Sequence, residues 1–180
     1  MNLLSVGASY RTAGVDTLER LTIAGADIPA VLQRLVAQPY VGEAVVLSTC
    51  NRVEIYAAVS GFHGGLGDVC NVLAEHSGIG ANDLATHLYV HYDEAAVRHS
   101  FRVSAGLESM VVGEAQILGQ LRDAHHAVHQ RILGVNPQVN KILQTHVLLG
   151  INASRTGEKL CLCCGDGPRR ASAARCSGVP

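Results

Sequence analysis

The stretch Leu47-Ser48-Thr49-Cys50-Asn51-Arg52-Val53-Glu54-Ile55-Tyr56 sets one thiol between two strand-like runs, with turn-forming Asn51 next and a guanidinium two positions on. A thiol is a nucleophile only as thiolate, and a nearby cation with partial exposure at a strand end favours that form. Arg52 could also clamp a substrate carboxylate, since its planar fork donates two parallel hydrogen bonds. The same residue types also describe an ordinary buried cysteine. Taken alone, they leave both readings open.

Other chemistry-bearing residues follow. His99 is of the type that moves protons near neutrality, or it caps or packs on a helix. Gln116 and Gln120, four apart, share one helix face, and Ser109 precedes them across a glycine-containing turn. His125 and His129 have the spacing used by zinc helices. No Glu sits between them as in H-E-x-x-H and no further ligand is evident, so a solvated helix face is the better reading. Cys161, Cys163 and Cys164 crowd together with Cys176 stray, unlike the paired knuckles of zinc sites. No metal is expected.

The elements that must position these groups form an α/β pattern of the α+β kind. A strand is predicted over 3–8, and a helix opens at Asp27-Ile28-Pro29 with Val31, Leu32, Leu35 and Val36 on one face. Strands over 44–48 and 53–59 flank the Cys50 turn as an antiparallel pair. A helix over 66–76 turns Val69, Val72 and Leu73 inward and stops near Gly78 and Gly80, before a short strand over 88–92. The order β-α-β-β-α-β is that of a ferredoxin-like antiparallel sheet with helices over one face. From Asp93, read as a cap, the chain turns helical, with further helices over 114–132 and about 137–153.

The wording of two blocks narrows the function. S-T-C-N-R-x-E before a hydrophobic strand resembles the catalytic-cysteine signature of glutamyl-tRNA reductase, the first committed enzyme of the five-carbon route to tetrapyrroles (porphyrins). The run from His99-Ser100-Phe101-Arg102-Val103 through Gly113-Glu114-Ala115-Gln116-Ile117-Leu118-Gly119-Gln120 is similar to that family's H-x-x-R-V-x-x-G-L-D-S-x-x-x-G-E-x-Q-I-L-G-Q. The opening strand and Arg11-Thr12-Ala13-Gly14-Val15 resemble the family's first strand and loop, and the likeness covers roughly residues 1–155. Tyr10 and Gly14 stand where the family has His and Pro, and Ala115 replaces a common proline.

The resemblance implies that Cys50 is the nucleophile and that His99 sits near it. It further implies that Thr49, Asn51, Arg52, Ser109, Glu114, Ala115, Gln116 and Gln120 line the glutamyl pocket. Glu114, at a helix start, could equally complement the helix dipole. The implied chemistry is attack of the Cys50 thiolate on the ester of glutamyl-tRNA, the substrate, giving a thioester that the complete enzyme reduces with NADPH to glutamate-1-semialdehyde. The family is a homodimer through a C-terminal domain, and its nicotinamide domain follows the catalytic one. No G-x-G-x-x-G with a βαβ context is legible here; the glycine-dense run over 61–67 lacks the spacing. An isolated catalytic domain is the expectation.

Composition sets the remaining limits. At 180 residues and 48% apolar content, one domain with a Val, Leu, Ile and Ala core is expected. No apolar run is long enough to span a bilayer and no signal peptide is apparent, which suggests a cytoplasmic protein. Residues 1–158 hold 10 Lys/Arg against 14 Asp/Glu, leaving no broad basic face for tRNA phosphates. Residues 159–180 hold 4 against 1, with four of the six cysteines. The expected layout is therefore a catalytic domain over 1–158 (ferredoxin-like 1–92, helical 93–158), then a disordered or aberrant tail. A Cys-His esterase and a non-catalytic ferredoxin-like interaction module are the other classes the residues allow.

Overall fold

The run Arg52-Val53-Glu54-Ile55-Tyr56-Ala57 alternates polar and apolar side chains. Successive side chains of a strand point to opposite faces, so this strand must meet two different environments. The computed structural model, which describes residues 1–110, 112 and 116–131, the last seven by backbone alone, shows both. Strands β1 (Asn2–Ser9), β2 (Val41–Ser48), β3 (Arg52–Val59) and β4 (Tyr89–Tyr92) form one antiparallel sheet in the order β2-β3-β1-β4. This is the ferredoxin-like topology expected from the sequence.

Helices α1 (Val15–Leu21) and α2 (Ile28–Val36) connect β1 to β2, and α3 (Phe62–Ser77) and α4 (Ala81–Ala85) connect β3 to β4. They pack on the face carrying Val53, Ile55, Ala57 and Val59. Helices α5 (Glu94–Ser104) and α6 (Gln116–Arg131) then pack against β1, β4 and β2. Every residue of β3 is buried as a result. Helices over one face of the β-α-β-β-α-β unit, followed by a helical section, are what the sequence leads one to expect.

The core is aliphatic. Leu4, Val6, Leu35, Ile55, Ala57 and Val69 are each 0% exposed, and truncating such a leucine to alanine costs about 2–5 kcal/mol. Val31, Leu32 and Leu35 of α2 and Val69, Val72 and Leu73 of α3 are all buried, as their spacing predicts; Val36 is half-buried. Helix α3 ends at Gly78 in the left-handed conformation (φ 64°), a role that glycine fills without a Cβ clash.

Some expectations are corrected. α3 begins at Phe62, inside the glycine-dense run, although glycine disfavours helix. The reason is tertiary: a Cβ at Gly64 would lie 2.5 Å from the Tyr40 ring and one at Gly65 2.5 Å from Val59. Asp93 sits at the start of α5 with φ 52° and makes no side-chain capping bond; its backbone N–H instead donates to the Leu3 carbonyl at 2.7 Å. Helices α1 and α4 have only seven and five residues, too short for a clear period. The expected helix over 137–153 and the tail over 159–180 lie outside the described residues.

Candidate active site

Thr49, Cys50 and Asn51 are the three residues joining β2 to β3. Thr49 holds the turn: its N–H donates to the Arg52 carbonyl at 2.9 Å, and its Oγ1 accepts from the N–H groups of Arg52 and Asn51 at 3.2 and 3.3 Å. The Asn51 carbonyl accepts from the Tyr10 N–H at 2.9 Å, tying the turn to the end of β1. The thiol of Cys50 is left exposed at the tip.

A second segment is drawn over this tip by arginines. Arg52, 3% exposed, donates through Nη2 to the Glu108 carbonyl. The Glu108 carboxylate bridges Arg11 at 2.7 Å and Arg102 at 2.6 Å. Burial pushes this carboxyl up, but the Arg102 hydrogen bond and the charges of Arg102, Arg11 and His99 leave it below the usual carboxylate range. Tyr10, standing where the resembling family has histidine, offers its hydroxyl to the Ser109 carbonyl at 3.5 Å. With 106–110 anchored, Ser109, Met110, Gln116, Ile117 and Gln120 close a cleft of about 40 Å³ around Thr49, Cys50, Asn51 and Arg52.

On the other side of Arg52 lies a larger cavity of about 670 Å³, whose walls include Arg11, Tyr89, His91, His99, Arg102 and Glu108. Behind the wall formed by Arg52, Tyr89 and His99, Glu54, 0% exposed, is the acceptor for four donors. Arg52 Nη1 reaches Oε1 at 2.7 Å and His99 Nε2 lies 3.1 Å from the same oxygen; the Tyr89 hydroxyl also donates to Oε1 and the Tyr56 hydroxyl to Oε2. An ionised carboxylate only accepts, so the hydrogen of this pair is on His99 Nε2. Burial pushes the Glu54 carboxyl up, yet His99, Arg52 and Tyr56 together hold it down at about 2. Tyr56 and Tyr89 are pushed well up, by burial first and by the Glu54 charge second. The His91 ring stacks on His99 with centroids 4.3 Å apart, and burial and His99 lower its pKa.

The structure thus gathers Thr49, Cys50, Asn51, Arg52, Ser109, Gln116 and Gln120 into one cleft. It does not set His99 among the residues lining that cleft; His99 faces the larger cavity with Glu54 as partner. Arg52 is not an idle fork awaiting a carboxylate, because both terminal nitrogens are engaged within the protein. Glu114 and Ala115 lie outside the described residues, as do the side chains of His125, His126 and His129. The sequence reading missed Glu54, Tyr89, His91 and Glu108. Glu54 did leave a signal, since a carboxylate inside an otherwise apolar strand is costly to bury unless it is paired.

Among the described residues, no group of three or more His, Cys, Asp and Glu could hold a metal ion. None of the described helices is long and apolar enough to cross a membrane. The glycine-dense run at the start of α3 does not fit a dinucleotide pyrophosphate, because Tyr40 and Val59 fill the space that Gly64 and Gly65 leave.

Fold and cleft together define a class: an α+β domain of ferredoxin-like topology with a solvent-open thiol at a hairpin tip, faced by the polar side chains of a later helix. A family model described as Glutamyl-tRNAGlu reductase, N-terminal domain, matches residues 6–155, and the chain belongs to that family. It is 73% identical over 126 residues to a glutamyl-tRNA reductase of Salinispora arenicola, covering 70% of this chain and 28% of the relative. Against the glutamyl-tRNA reductase of Kineococcus radiotolerans it is 48% identical over 153 residues, 85% of this chain and 34% of that one. The solved glutamyl-tRNA reductase from Methanopyrus kandleri matches with a TM-score of 0.62 and 29% identity over 86% of this chain and 34% of its own. The chain thus spans about a third or less of the length of these relatives.

Proposed function

We propose that the chain carries the acyl-transfer site of an NADP-dependent glutamyl-tRNA reductase, an oxidoreductase of porphyrin and tetrapyrrole biosynthesis. In this reading the Cys50 thiolate attacks the ester carbonyl joining glutamate to the 3′ end of its tRNA. A sulfur–carbon bond forms, the carbon–oxygen ester bond breaks, and the 3′ oxygen leaves with a proton. The observation that carries the reading is the exposed Cys50 thiol set among Asn51, Ser109, Gln116 and Gln120 in one polar cleft.

Each remaining residue has a part. Thr49 holds the turn and, with Asn51, Ser109, Gln116 and Gln120, supplies donors and acceptors for the glutamyl group; Glu114 and Ala115 join them by resemblance. Arg52 orders the cleft wall and adds a positive field for the substrate carboxylate. His99 handles protons from the larger cavity, with Glu54 as its partner. NADPH, the cofactor this reading implies, supplies a hydride that reduces a thioester to the semialdehyde, and no step involving it is assigned to the described residues.

The remaining expectations enter on the same footing. The working unit is residues 1–158, with 159–180 outside it. The full-length protein is cytoplasmic, where charged tRNA is found, and homodimeric.

The test is incubation with glutamyl-tRNA radiolabelled in the glutamate, without NADPH. Label should appear on the protein in a hydroxylamine-sensitive bond, map to the Cys50 peptide and be absent in Cys50→Ser. Slow release of free glutamate should follow, since water is then the only acceptor. No Cys50-dependent label would overturn the assignment, and turnover independent of Cys50 would favour another class of hydrolase.

A further inference from the structure

We infer that Glu54 is a positioning residue for the Cys50 cleft: its carboxylate holds Arg52 and His99 in one rigid unit, so that the wall of the cleft and the wall of the larger cavity are set together. The inference rests on the proposed acyl transfer for its kinetic consequence, and on the geometry alone for the rest.

The geometry is specific. Glu54 Oε1 takes Arg52 Nη1 at 2.7 Å and His99 Nε2 at 3.1 Å, along with the Tyr89 hydroxyl, while Oε2 takes the Tyr56 hydroxyl. A carboxylate has about four lone-pair directions, so this acceptor is essentially saturated. Room for it is provided by the neighbouring strand. Gly7 pairs with Glu54 in register, and a Cβ at Gly7 would stand 2.7 Å from Glu54 Cγ and 2.6 Å from the Val53 carbonyl oxygen.

Stability alone does not call for such a group. Replacing a buried ion pair by well-packed apolar residues is often neutral or favourable. What an apolar residue cannot do is fix a guanidinium that walls one cavity and an imidazole that walls the other. Arg52 also reaches the Glu108 carbonyl through Nη2, so the orientation set by Glu54 passes to the 106–110 segment and hence to Ser109.

The experiment compares the 180-residue chain with Glu54→Gln and with Val69→Ala. Glutamine keeps the shape but offers one acceptor oxygen and turns an NH₂ toward donors. Val69→Ala removes buried methyl groups of α3 from the aliphatic core, at a residue that lines neither cavity and makes no contact with the carboxylate network, so it controls for loss of stability. Two readouts are taken below the melting temperature of each variant.

The first is side-chain NMR. The parent should show exchange-protected Arg52 Nη–H and His99 Nε2–H signals, assigned through Arg52→Lys and His99→Gln. Both should be lost in Glu54→Gln and kept in Val69→Ala. The second is the rate of thioester formation from saturating glutamyl-tRNA, expected to fall at least tenfold in Glu54→Gln and to stay within twofold in Val69→Ala. A folded Glu54→Gln that keeps both signals, or acylates at the parental rate, overturns the inference. So does a parent that lacks the protected signals, a result that needs no variant to fold. A parent that forms no thioester overturns the proposed function instead, and the NMR comparison then decides the role of Glu54 by itself.

Discussion

The two cavities that meet at Arg52 are built on opposite principles. Among the described residues the lining around Cys50 is neutral apart from Arg52, and the thiol is exposed at the tip of a turn. Behind Arg52, ionisable groups are packed against a carboxylate with no exposure at all. An attacking atom must be reached by a bulky ester, so its side has to be open. Groups that hold or pass protons need fixed distances and a low dielectric, so theirs has to be dense. The contrast teaches that Arg52 is a partition. It lines both sides, and its buried ion pair with Glu54 joins the proton-bearing network to the cleft wall.

The largest effect expected separates the two sides outright. Cys50→Ser should remove thioester labelling completely, because a serine hydroxyl needs a stronger base than the described residues of this cleft supply. His99→Gln should slow labelling by roughly a hundredfold or more without abolishing it, the usual range for losing a proton-transfer group. Labelling kinetics on both variants check this; equal, complete loss would mean that the cavities act as one site.

Next comes the acid stability of the dense side. Glu54 titrates at about 2 in the folded chain against 4.5 ordinarily. Its folded value is depressed, so its contribution is complete above about pH 4.5 and is lost as pH falls toward 2. That difference corresponds to about 3 kcal/mol. Urea denaturation between these pH values should show a steep loss of stability in the parent that is much flatter in Glu54→Gln. Parallel slopes would show that other carboxylates govern acid unfolding.

A smaller effect probes the room made for that carboxylate. Gly7→Ala should destabilise by about 1–3 kcal/mol, the usual cost of overpacking a filled site, because the new methyl would meet backbone at 2.6 Å. Thermal melts read this, and an unchanged melting temperature would mean that β1 and β3 separate easily. The gentlest test compares two thiols. Cys50 is exposed, whereas Cys70 on α3 is half-buried and its thiol is pushed up by burial. Brief iodoacetamide treatment with peptide mapping should label Cys50 severalfold faster, and equal labelling would mean that the tip is less open than its geometry indicates.

Much of the fold was readable in one dimension because its signals are local. β-rich composition in 44–48 and 53–59 marks two strands, and turn-forming Asn51 between them marks the turn that carries Cys50. Spacing in α2 and α3 picked the buried faces correctly. The misses were also local in origin. Five- and seven-residue helices give too few turns for a period, and the glycines at the start of α3 hide a helix whose need for close approach comes from Tyr40 and Val59. The face covered by α5 and α6 left only one trace, the polar alternation of β3.

By itself, then, the sequence determined the chemistry available and one of its neighbourhoods: a thiol in a short turn between two strands cannot be far from Thr49, Asn51 and Arg52. It also determined which family the chain joins, since motif wording is a property of the chain alone. Only the tertiary structure decided which residues separated by tens of positions meet. Ser109 reaches Cys50 because Arg52 and Arg11 hold Glu108, Gln120 because α6 packs against β2, and His99 turns to Glu54 because β4 and α5 bring Tyr89 and the imidazole over one buried oxygen. Hydrogen bonds of this kind are made at fixed distances between distant parts of the chain, and no spacing along a sequence encodes them.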